Sequence, residues 1–452
     1  MDTTPVAPSR RQVLEGAGTA AVAALAGVAI PAVHAGADST IRLALVGCGG
    51  RGTGAVADAL SVKGPPVKLV AMADVFEHRL NDSHKNLAGQ YSERIEVPKE
   101  RRFVGFDGYR NAMDCLRPGD VVILATPAGF RVTHFTQAVA KGLNVFMEKS
   151  LAVDAVNVRR LFDLAETATK KNLKVGVGLM CRHCKARHEL HDRLRDGVAG
   201  DLRTLRAYRM HGPAGVVGPR PAGMSELLYQ VQQFHGFLWA GTGFYVDWLI
   251  HNIDECCWMK DAWPVRAHGI GGRHFRGNAI DQNFDHYAVE YTFADGAKLF
   301  VGARGINGCH QEFASYADGT KGLAVISSAA HSPAKCRIYK GFEPRRDQLV
   351  WAFKGPEPNP YQLEWEHLLD AIRNDRPYNE VRRGAEANLV ALMGRKATHT
   401  GRVVSWEEML SDPTELAPGV DKLTADSPAP VQLGTDGRYP APQPGALGTR
   451  EY

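Results

Sequence analysis

Short, continuously apolar runs alternate with amphipathic, helix-compatible segments through the first third of the chain that follows Thr40. These runs are Ile41–Val46, Val67–Ala73, Val121–Ala125 and Asn144–Met147. Continuous apolar runs are typical of parallel strands that are buried on both faces, and the helices between them would provide the crossovers. The pattern therefore predicts an α/β domain with a doubly wound parallel sheet over residues 41–152.

The pattern changes in the second part of the chain. A long helix from Val153 leads to a further apolar run, Lys174–Gly178, and later segments such as Tyr287–Phe293 alternate apolar and polar residues. An Asp-Gly turn at Asp295 follows that segment, which is typical of a β-hairpin. Residues 153–410 are therefore predicted to form an α+β domain with a large, mostly antiparallel open sheet.

Two later segments complete the predicted organisation. Helices are expected near Tyr361–Arg373 and Arg383–Thr400, and they could pack back on the first domain. Residues 411–452 are rich in Pro, Gly and Asp, a composition that favours an extended arm rather than a packed element.

The N-terminus has the order of regions found in export signals. Arg10 and Arg11 precede an apolar stretch, Gly16–Ile30, and a small-residue site at Val33-His34-Ala35 follows. The arginine pair favours the twin-arginine route. Residues 1–35 are therefore predicted to be a signal peptide, and the protein is expected to be periplasmic or otherwise exported. An ordinary N-terminal helix and an uncleaved anchor are the alternatives.

Composition and charge narrow the classes of function. The 452 residues carry a net charge of +5, with lysines and arginines interspersed among acids, so no nucleic-acid partner is expected. Beyond the N-terminus no apolar run is long enough to span a bilayer, so membrane contact is expected only through the export signal. The eight cysteines are too scattered for a disulfide framework.

A glycine-rich turn predicts a dinucleotide site. Gly47-x-Gly49-x-x-Gly52 ends the first predicted strand and opens a helix, and Asp74 closes the next strand about 20 residues on. Glycines allow the backbone to approach a pyrophosphate, and the acid can accept hydrogen bonds from ribose hydroxyls. Asp74 would repel a 2′-phosphate, which favours NAD, while Arg51 and Arg79 leave NADP possible.

Two further segments carry a resemblance to a known family. Met147-Glu148-Lys149-Ser150 follows a predicted strand, and the segment Gly241–Asp254 lies in the second half. Together with the glycine turn, Ala125-Thr126-Pro127 and His134, they resemble the Gfo/Idh/MocA oxidoreductases, a family that includes glucose–fructose oxidoreductase and inositol dehydrogenase. The resemblance extends from Ile41 to about Leu410 and is strongest to exported bacterial members.

The resemblance implies an N-terminal Rossmann domain, a nicotinamide cofactor and a small carbohydrate substrate. It also implies a homo-dimer or homo-tetramer. The residues that it implies for cofactor binding are Gly47, Gly49, Gly50, Arg51, Gly52, Asp74, Thr126, Pro127, His134, Glu148 and Lys149.

The same resemblance assigns catalytic roles to Lys149, Asp247 and His251. Asp247 and His251 are four residues apart, which places them on one face of a helix. A histidine beside a carboxylate can take the proton of an alcohol near neutral pH, and a lysine can stabilise the developing alkoxide. Ser150 departs from the family pattern, because a proline usually follows the lysine and fixes the turn.

The segment after residue 178 suggests two further functions. By the resemblance, Arg182 and Tyr245 are expected to bind substrate. The cysteines and histidines at Cys181, His183, Cys184, His188 and His191 could instead suggest zinc. Structural zinc sites usually combine two separated ligand pairs, which this short run lacks, so no metal is predicted.

Export of a folded NAD enzyme has a consequence for its reaction. A trapped cofactor, once reduced, lacks an obvious partner outside the membrane that would reoxidise it. We therefore expect an oxidoreductase that acts on a sugar, polyol or glycoside hydroxyl with a retained cofactor and a redox-neutral cycle. The alternative is an NAD-dependent glycoside hydrolase that oxidises its substrate transiently, and a third possibility is a catalytically silent binding protein.

Overall fold

The computed structural model describes residues 40–276 and 279–452. The predicted signal peptide, residues 1–35, lies outside this part of the chain. Within the described ranges, no helix combines the length and apolar character needed to cross a membrane.

A six-stranded parallel sheet forms the first layer of the fold, in the order β3-β2-β1-β4-β5-β6. Its strands are β1 (Ile41–Val46), β2 (Val67–Asp74), β3 (Arg102–Val104), β4 (Val121–Leu124), β5 (Asn144–Met147) and β6 (Val175–Val177). The order reverses between β1 and β4, which leaves a crevice at the carboxyl ends of these two strands, where open α/β sheets bind ligands. The predicted doubly wound α/β domain is confirmed.

Five helices connect these strands. They are α1 (Gly50–Ser61), α2 (Glu77–Tyr91), α3 (Gly108–Asp114), α4 (Ala128–Ala140) and α5 (Ala155–Lys170). The predicted domain boundary at residue 152 is too early, because α5 is a crossover helix and β6 pairs with β5 in parallel. The apolar run at 174–178 is buried on both faces like the other parallel strands, so the first sheet continues to Val177.

A second, nine-stranded sheet has the order β14-β13-β12-β11-β7-β10-β9-β8-β15. Its strands are β7 (Leu202–His211), β8 (Arg266–Gly272), β9 (His286–Thr292), β10 (Lys298–Gly305), β11 (Glu312–Gly319), β12 (Gly322–Ser328), β13 (Arg337–Lys340), β14 (Leu349–Ala352) and β15 (Val404–Ser405). Among the described strand pairs of this sheet, only β7 and β10 are parallel. The predicted hairpin at Asp295 connects β9 and β10, so the mostly antiparallel sheet is confirmed.

The helices of the second part pack on both sheets. They are α6 (Lys185–Arg195), α7 (Glu226–Gln232), α8 (Leu238–Gly241), α9 (Gly243–Lys260), α10 (Pro360–Arg373), α11 (Val381–Thr400) and α12 (Trp406–Ser411). Helix α9 contacts β7 and β11 on one side and α11 on another. Nearly every residue of α9 is buried, polar ones included, so its polar side chains must find partners inside the protein.

Helix α10 packs back on the first sheet, as expected for the late helices. The Trp365 ring stacks on Phe146 of β5 with 4.5 Å between ring centroids. Leu368 and Leu369 join the same hydrophobic cluster as β1.

The C-terminal arm is extended, as predicted, but it is also packed against its own chain, which corrects the expectation of an unpacked element. The Tyr439 ring contacts Phe237 with 4.8 Å between centroids. Glu451 forms an ion pair with Arg395 of α11, with 2.8 Å between Oε1 and Nη2. Apolar and charged side chains spaced along the arm therefore anchor it, although it lacks an α-helix or strand of its own.

Candidate active site

A cleft of about 770 Å³ opens at the carboxyl ends of the parallel strands, between the two parts of the fold. Every residue that was predicted to bind the cofactor lines it: Gly47, Gly49, Gly50, Arg51, Gly52, Asp74, Thr126, Pro127, His134, Glu148 and Lys149. Asp247 of α9 lines the same cleft. The residues that the glycine motif and the Lys149 segment indicated separately are thus brought together.

The three motif glycines meet different spatial demands. Gly47 has a positive φ of 96°, and a Cβ there would lie 2.6 Å from the carbonyl carbon of Ala125. A Cβ on Gly52 would lie 2.0 Å from the Gly47 carbonyl oxygen, so α1 approaches β1 too closely for any side chain. A Cβ on Gly49 would have nothing within 4 Å. The turn therefore has open space over Gly49, where a pyrophosphate could approach the backbone.

Asp74 fixes this turn against the end of β2. Its Oδ2 accepts a hydrogen bond from the Cys48 backbone N–H at 2.7 Å, and Oδ1 accepts one from the Phe76 N–H at 2.8 Å. Helix α1 begins without a side-chain cap, so its first N–H groups are available to an anion. The open turn, the uncapped helix and the acid fit NAD.

The two arginines that left NADP open lie in different surroundings. Arg51 donates from Nε to Glu148 Oε1 at 2.9 Å and lies over the ring of Tyr361. It is thus engaged by Glu148, which follows β5, rather than by a group beside Asp74. Arg79 lies over the Phe76 ring, 5.1 Å from its centroid, and also lines the cleft.

Thr126 and His134 form another wall of the cleft. Their Oγ1 and Nδ1 atoms are 3.2 Å apart, and the His134 ring stacks on Tyr109. Burial, together with the charges of Arg131 and Arg110, lowers the pKa of His134 to about 3, so this histidine is neutral. Arg131, which the sequence analysis missed, donates to the Thr126 carbonyl at 2.6 Å and holds the loop after β4.

Lys149 and Asp247 meet at one end of the cleft. Lys149 Nζ donates to the Asp247 carbonyl oxygen at 2.5 Å and lies 3.2 Å from its Oδ1. The Lys149–Ser150 peptide bond is cis. Asn388 of α11 accepts from the Leu151 N–H at 2.9 Å and donates to the Ala152 carbonyl at 2.9 Å. The backbone that follows the lysine is therefore held by a buried amide that the sequence analysis did not identify.

His235 is a second partner of Asp247 and was also missed. It lies on the single turn Phe234–Gly236, and its Nδ1 is 3.0 Å from Asp247 Oδ2. Burial acts to raise the pKa of Asp247, but the charge of Lys149 and the hydrogen bond from His235 outweigh it and lower the pKa to about 2. Asp247 is therefore a carboxylate between two donors.

His251 follows Asp247 by one turn of α9 and lies deeper than the cleft wall. Its ring is 4.6 Å from that of His331, centroid to centroid, and within the described residues its Nδ1 has no hydrogen-bond partner. Burial and the charges of Lys149 and Arg209 lower the pKa of His251 well below its usual value. The imidazole is neutral and can accept a proton.

The two residues predicted to bind substrate lie elsewhere. Arg182 donates to both carboxylate oxygens of Asp254, at 2.9 and 2.8 Å, and lies over the Trp258 ring. Tyr245 is fully buried, and its hydroxyl is 2.9 Å from that of Tyr291. Neither residue lines the cleft. Tyr245 and Asp254, the partner of Arg182, belong to faces of the buried helix α9 other than the face that borders the cleft.

The cysteines and histidines that suggested zinc have separate neighbours. Cys181 contacts His331, His183 contacts His367, and the rings of His188 and His191 pack on Trp258. Across residues 40–276 and 279–452, no group of three or more His, Cys, Asp or Glu side chains is arranged to hold a metal ion. All eight cysteines are free thiols in this part of the chain.

Comparison with known proteins agrees with this geometry. Residues 41–179 match the model of GFO_IDH_MocA, the oxidoreductase family with an NAD-binding Rossmann fold. The rhizopine catabolism protein MocA of Rhizobium meliloti is 25% identical over 262 residues, which cover 58% of this chain and 70% of that protein. A glycosyl hydrolase family 109 protein of Streptomyces coelicolor is 25% identical over 169 residues, covering 37% of this chain and 33% of that one.

A solved structure shares the fold of most of this chain. The aldose-aldose oxidoreductase from Caulobacter crescentus, complexed with glycerol, superposes with a TM-score of 0.63 at 18% identity. The match covers 81% of this chain and 99% of that chain. At this identity the likeness establishes the fold, including the second sheet beyond the family-model match.

Proposed function

We propose that this chain, whose residues 41–179 match the Gfo/Idh/MocA oxidoreductase family with an NAD-binding Rossmann fold, oxidises a hydroxyl-bearing carbon of a sugar, polyol or glycoside. The observation that carries this proposal is the meeting of Lys149 and Asp247 at the end of the NAD cleft, with His251 one helical turn beyond. These are the charge and the base that alcohol oxidation needs.

Each residue has a defined task in this reaction. NAD, when bound along Gly49, Asp74 and Thr126, supplies the hydride acceptor. The Lys149 ammonium stabilises the negative charge that develops on the substrate oxygen. The neutral imidazole of His251 takes the hydroxyl proton. Asp247 holds the ammonium in place through its carbonyl and carboxylate oxygens.

The catalytic assignment is tested by His251→Ala. We expect turnover to fall by at least 100-fold, because general acid–base groups contribute roughly 10²- to 10⁴-fold, while NAD affinity stays unchanged. His268→Ala, on an exposed strand of the second sheet, is the matched control. Steady-state kinetics and NAD calorimetry give the two readouts, and normal turnover in the His251 variant contradicts the assignment.

We further propose that the protein is exported and retains its cofactor through a redox-neutral cycle. The arginine pair and apolar stretch before Ala35 support export, and the solved relative is named for acting between two aldoses. Purified mature protein is expected to contain nucleotide and to reduce a second carbohydrate after oxidising the first. Protein that is free of nucleotide and fully active only with added NAD would contradict this.

The likeness to a glycosyl hydrolase family 109 protein favours one alternative. The same residues could oxidise a glycoside transiently and permit elimination of the substituent. Addition of water to the resulting unsaturated ketone and return of the hydride to its carbonyl carbon would then give the hydrolysed sugar and restore oxidised NAD. An aryl glycoside separates the two functions, since release of the phenol is expected only from the hydrolase. Keto sugar or lactone without phenol favours the oxidoreductase.

Assembly as a homo-dimer or homo-tetramer is part of the same proposal. Ile270 of β8 and Phe300 of β10 are 75% and 41% exposed on the second sheet, and apolar exposure of this kind marks an interaction surface. Light scattering after gel filtration measures the mass, and a monomer would contradict the assembly.

A further inference from the structure

One arginine of the second sheet lies close to the reactive end and has no acidic partner among residues 40–276 and 279–452. Arg209 of β7 is cross-strand to Phe313 of β11 and to Ala303 of β10. Phe313 contacts His331, and His331 in turn contacts His251. Arg209 is therefore connected, through Phe313 and His331, to helix α9 and to the proposed base His251.

The contacts of Arg209 leave most of its donors unused. Its guanidinium lies 3.7 Å from the Phe313 ring centroid, and its Nη1 is 3.3 Å from His331 Nε2. A guanidinium has five N–H donors, so a stacking contact and one hydrogen bond do not satisfy it. In the part of the chain described here, Arg209 forms no ion pair with a carboxylate within 4.0 Å.

Three other arginines in this part of the fold form ion pairs with carboxylates. Arg187 pairs with Glu255 at 2.6 Å, both completely buried. Arg182 pairs with Asp254, and Arg206, on the same strand as Arg209, pairs with Asp318 at 2.9 Å. Arg209 is half-buried like Arg206, and burial lowers its pKa. A partly buried cation without an anion is costly, which a bound anionic group would correct.

Arg209 lies close enough to His251 for one substrate molecule to contact both residues, so no second ligand is needed. His331 touches both Arg209 and His251, with 4.6 Å between the histidine ring centroids. A single sugar could thus present a hydroxyl to His251 and an anionic group to Arg209. The planar guanidinium suits a carboxylate or a phosphate equally, because both accept two parallel hydrogen bonds.

We propose that Arg209 binds an anionic group of the substrate, so that the protein acts on acidic sugars, either sugar carboxylates or sugar phosphates. This inference rests on the proposed function, since it places the anion beside the proposed base. It assigns to Arg209 the substrate contact that the sequence analysis had expected of Arg182.

The test compares matched neutral and anionic sugars on the NAD-loaded full-length protein. The probes are glucose, glucuronate, gluconate and glucose 6-phosphate. We expect at least one anionic probe to bind more tightly than glucose in calorimetry and to have the higher kcat/KM. Comparison of glucuronate and gluconate with glucose 6-phosphate shows whether the site prefers a carboxylate or a phosphate. Equal or weaker binding of all three anionic probes overturns the proposal.

Variants separate a substrate contact from a merely structural role. Arg209→Met is expected to reduce kcat/KM for the preferred anionic probe by roughly 10- to 100-fold more than it reduces kcat/KM for glucose. Arg209→Lys should restore part of the loss and provides a second variant if the methionine variant does not fold. Arg206→Met, on the same strand, is the control and should leave the preference intact. Equal losses for glucose and the anionic probe would overturn the proposal.

Measurements of both binding and turnover show whether the role of Arg209 or the proposed oxidation is wrong. Calorimetry with His251→Ala measures anion binding without turnover. Preferential binding without oxidation of any probe would contradict the proposed function alone. Oxidation of glucose without anion preference would contradict only the role of Arg209.

Discussion

At the scale of single residues, Asp247 is held from two sides by groups that come from distant parts of the chain. Lys149 approaches from the end of β5, and His235 approaches from a short turn before α8. Both stabilise the ionised carboxylate, which keeps the pKa of Asp247 at about 2 despite its burial. The carboxylate is therefore charged throughout the neutral range and can hold the ammonium group of Lys149.

Replacing His235 should change the pH at which the Asp247 carboxylate becomes protonated. In His235→Phe the ring contacts with Phe234 and Trp248 can persist, but the hydrogen bond to Asp247 is lost. We expect the pKa of Asp247 to rise by about one to two units, because a hydrogen bond to a charged group contributes about 1.5–3 kcal/mol. Asp247 then becomes protonated at higher pH, and the acid limb of kcat/KM moves upward.

The control for this prediction is His235→Gln, which keeps a donor at the same position. Profiles of kcat/KM from neutral to acidic pH are compared for wild type and the two variants. A smaller shift in the glutamine variant supports the hydrogen bond as the cause. Identical acid limbs in wild type and the phenylalanine variant would rule out this role for His235.

At the scale of elements, the β1–turn–α1 unit shows which glycines serve packing and which serve the ligand. Gly52 lets α1 lie against the Gly47 carbonyl, whereas Gly49 faces open space. The motif on its own does not separate these roles, because it marks all three positions alike. Their different surroundings arise from the approach of the helix and of the loop at Ala125.

Two alanine substitutions should separate these roles. Gly52→Ala places a methyl group 2.0 Å from a backbone oxygen, so we expect a loss of stability of at least 1–3 kcal/mol and a lower Tm. Gly49→Ala fits the backbone, whose φ is −72°, and should leave the Tm of the NAD-free protein unchanged. Its methyl group would enter the space for the pyrophosphate and weaken NAD binding. Thermal unfolding and NAD calorimetry measure the two effects, and a reversed pattern would contradict the assignment.

At the scale of the whole molecule, Arg395 of α11 joins both parts of the fold to the C-terminal arm. It donates to the Val153 carbonyl at 3.0 Å, shortly after the Lys149 segment, and to the Thr242 carbonyl at 3.0 Å, just before α9. The Glu451 carboxylate completes its contacts and also lies 2.8 Å from His399 Nδ1. Through Arg395, Glu451 thus supports the two segments that carry Lys149 and Asp247.

Glu451→Gln should therefore destabilise the protein far from the cleft. Removing one charge of a buried pair costs about 3–5 kcal/mol, so we expect a Tm several degrees lower. Burial opposes ionisation of Glu451, but Arg395 and His399 lower its pKa below the usual value. The stabilisation is thus present at neutral pH and is lost as the pH falls, so the difference between variant and wild type narrows in acid.

The control for this prediction is Glu407→Gln, an exposed glutamate in the first turn of α12. Thermal unfolding across pH gives the measurement for both variants and wild type. Equal Tm values for Glu451→Gln and wild type at neutral pH would contradict a structural role for this end of the chain.

The sequence by itself determined the features that depend on contiguous residues. Strand, glycine turn, helix and acid follow one another between Ile41 and Asp74, and Asp247 and His251 share a helix face through their spacing alone. Local periodicity also indicated the change from a parallel to a mostly antiparallel sheet. These features require no knowledge of distant partners, which is why they could be predicted.

Only the tertiary structure decided which polar groups are already paired and which remain available. Arg182 is engaged by Asp254, which lies 72 residues away, and Asn388 holds Leu151 across 237 residues. The pairing of β6 with β5, the docking of Glu451 on Arg395 and the lack of a carboxylate partner for Arg209 among the described residues are equally non-local. No local pattern records such contacts, because a buried charge or amide is satisfied by whatever the fold brings within hydrogen-bonding distance.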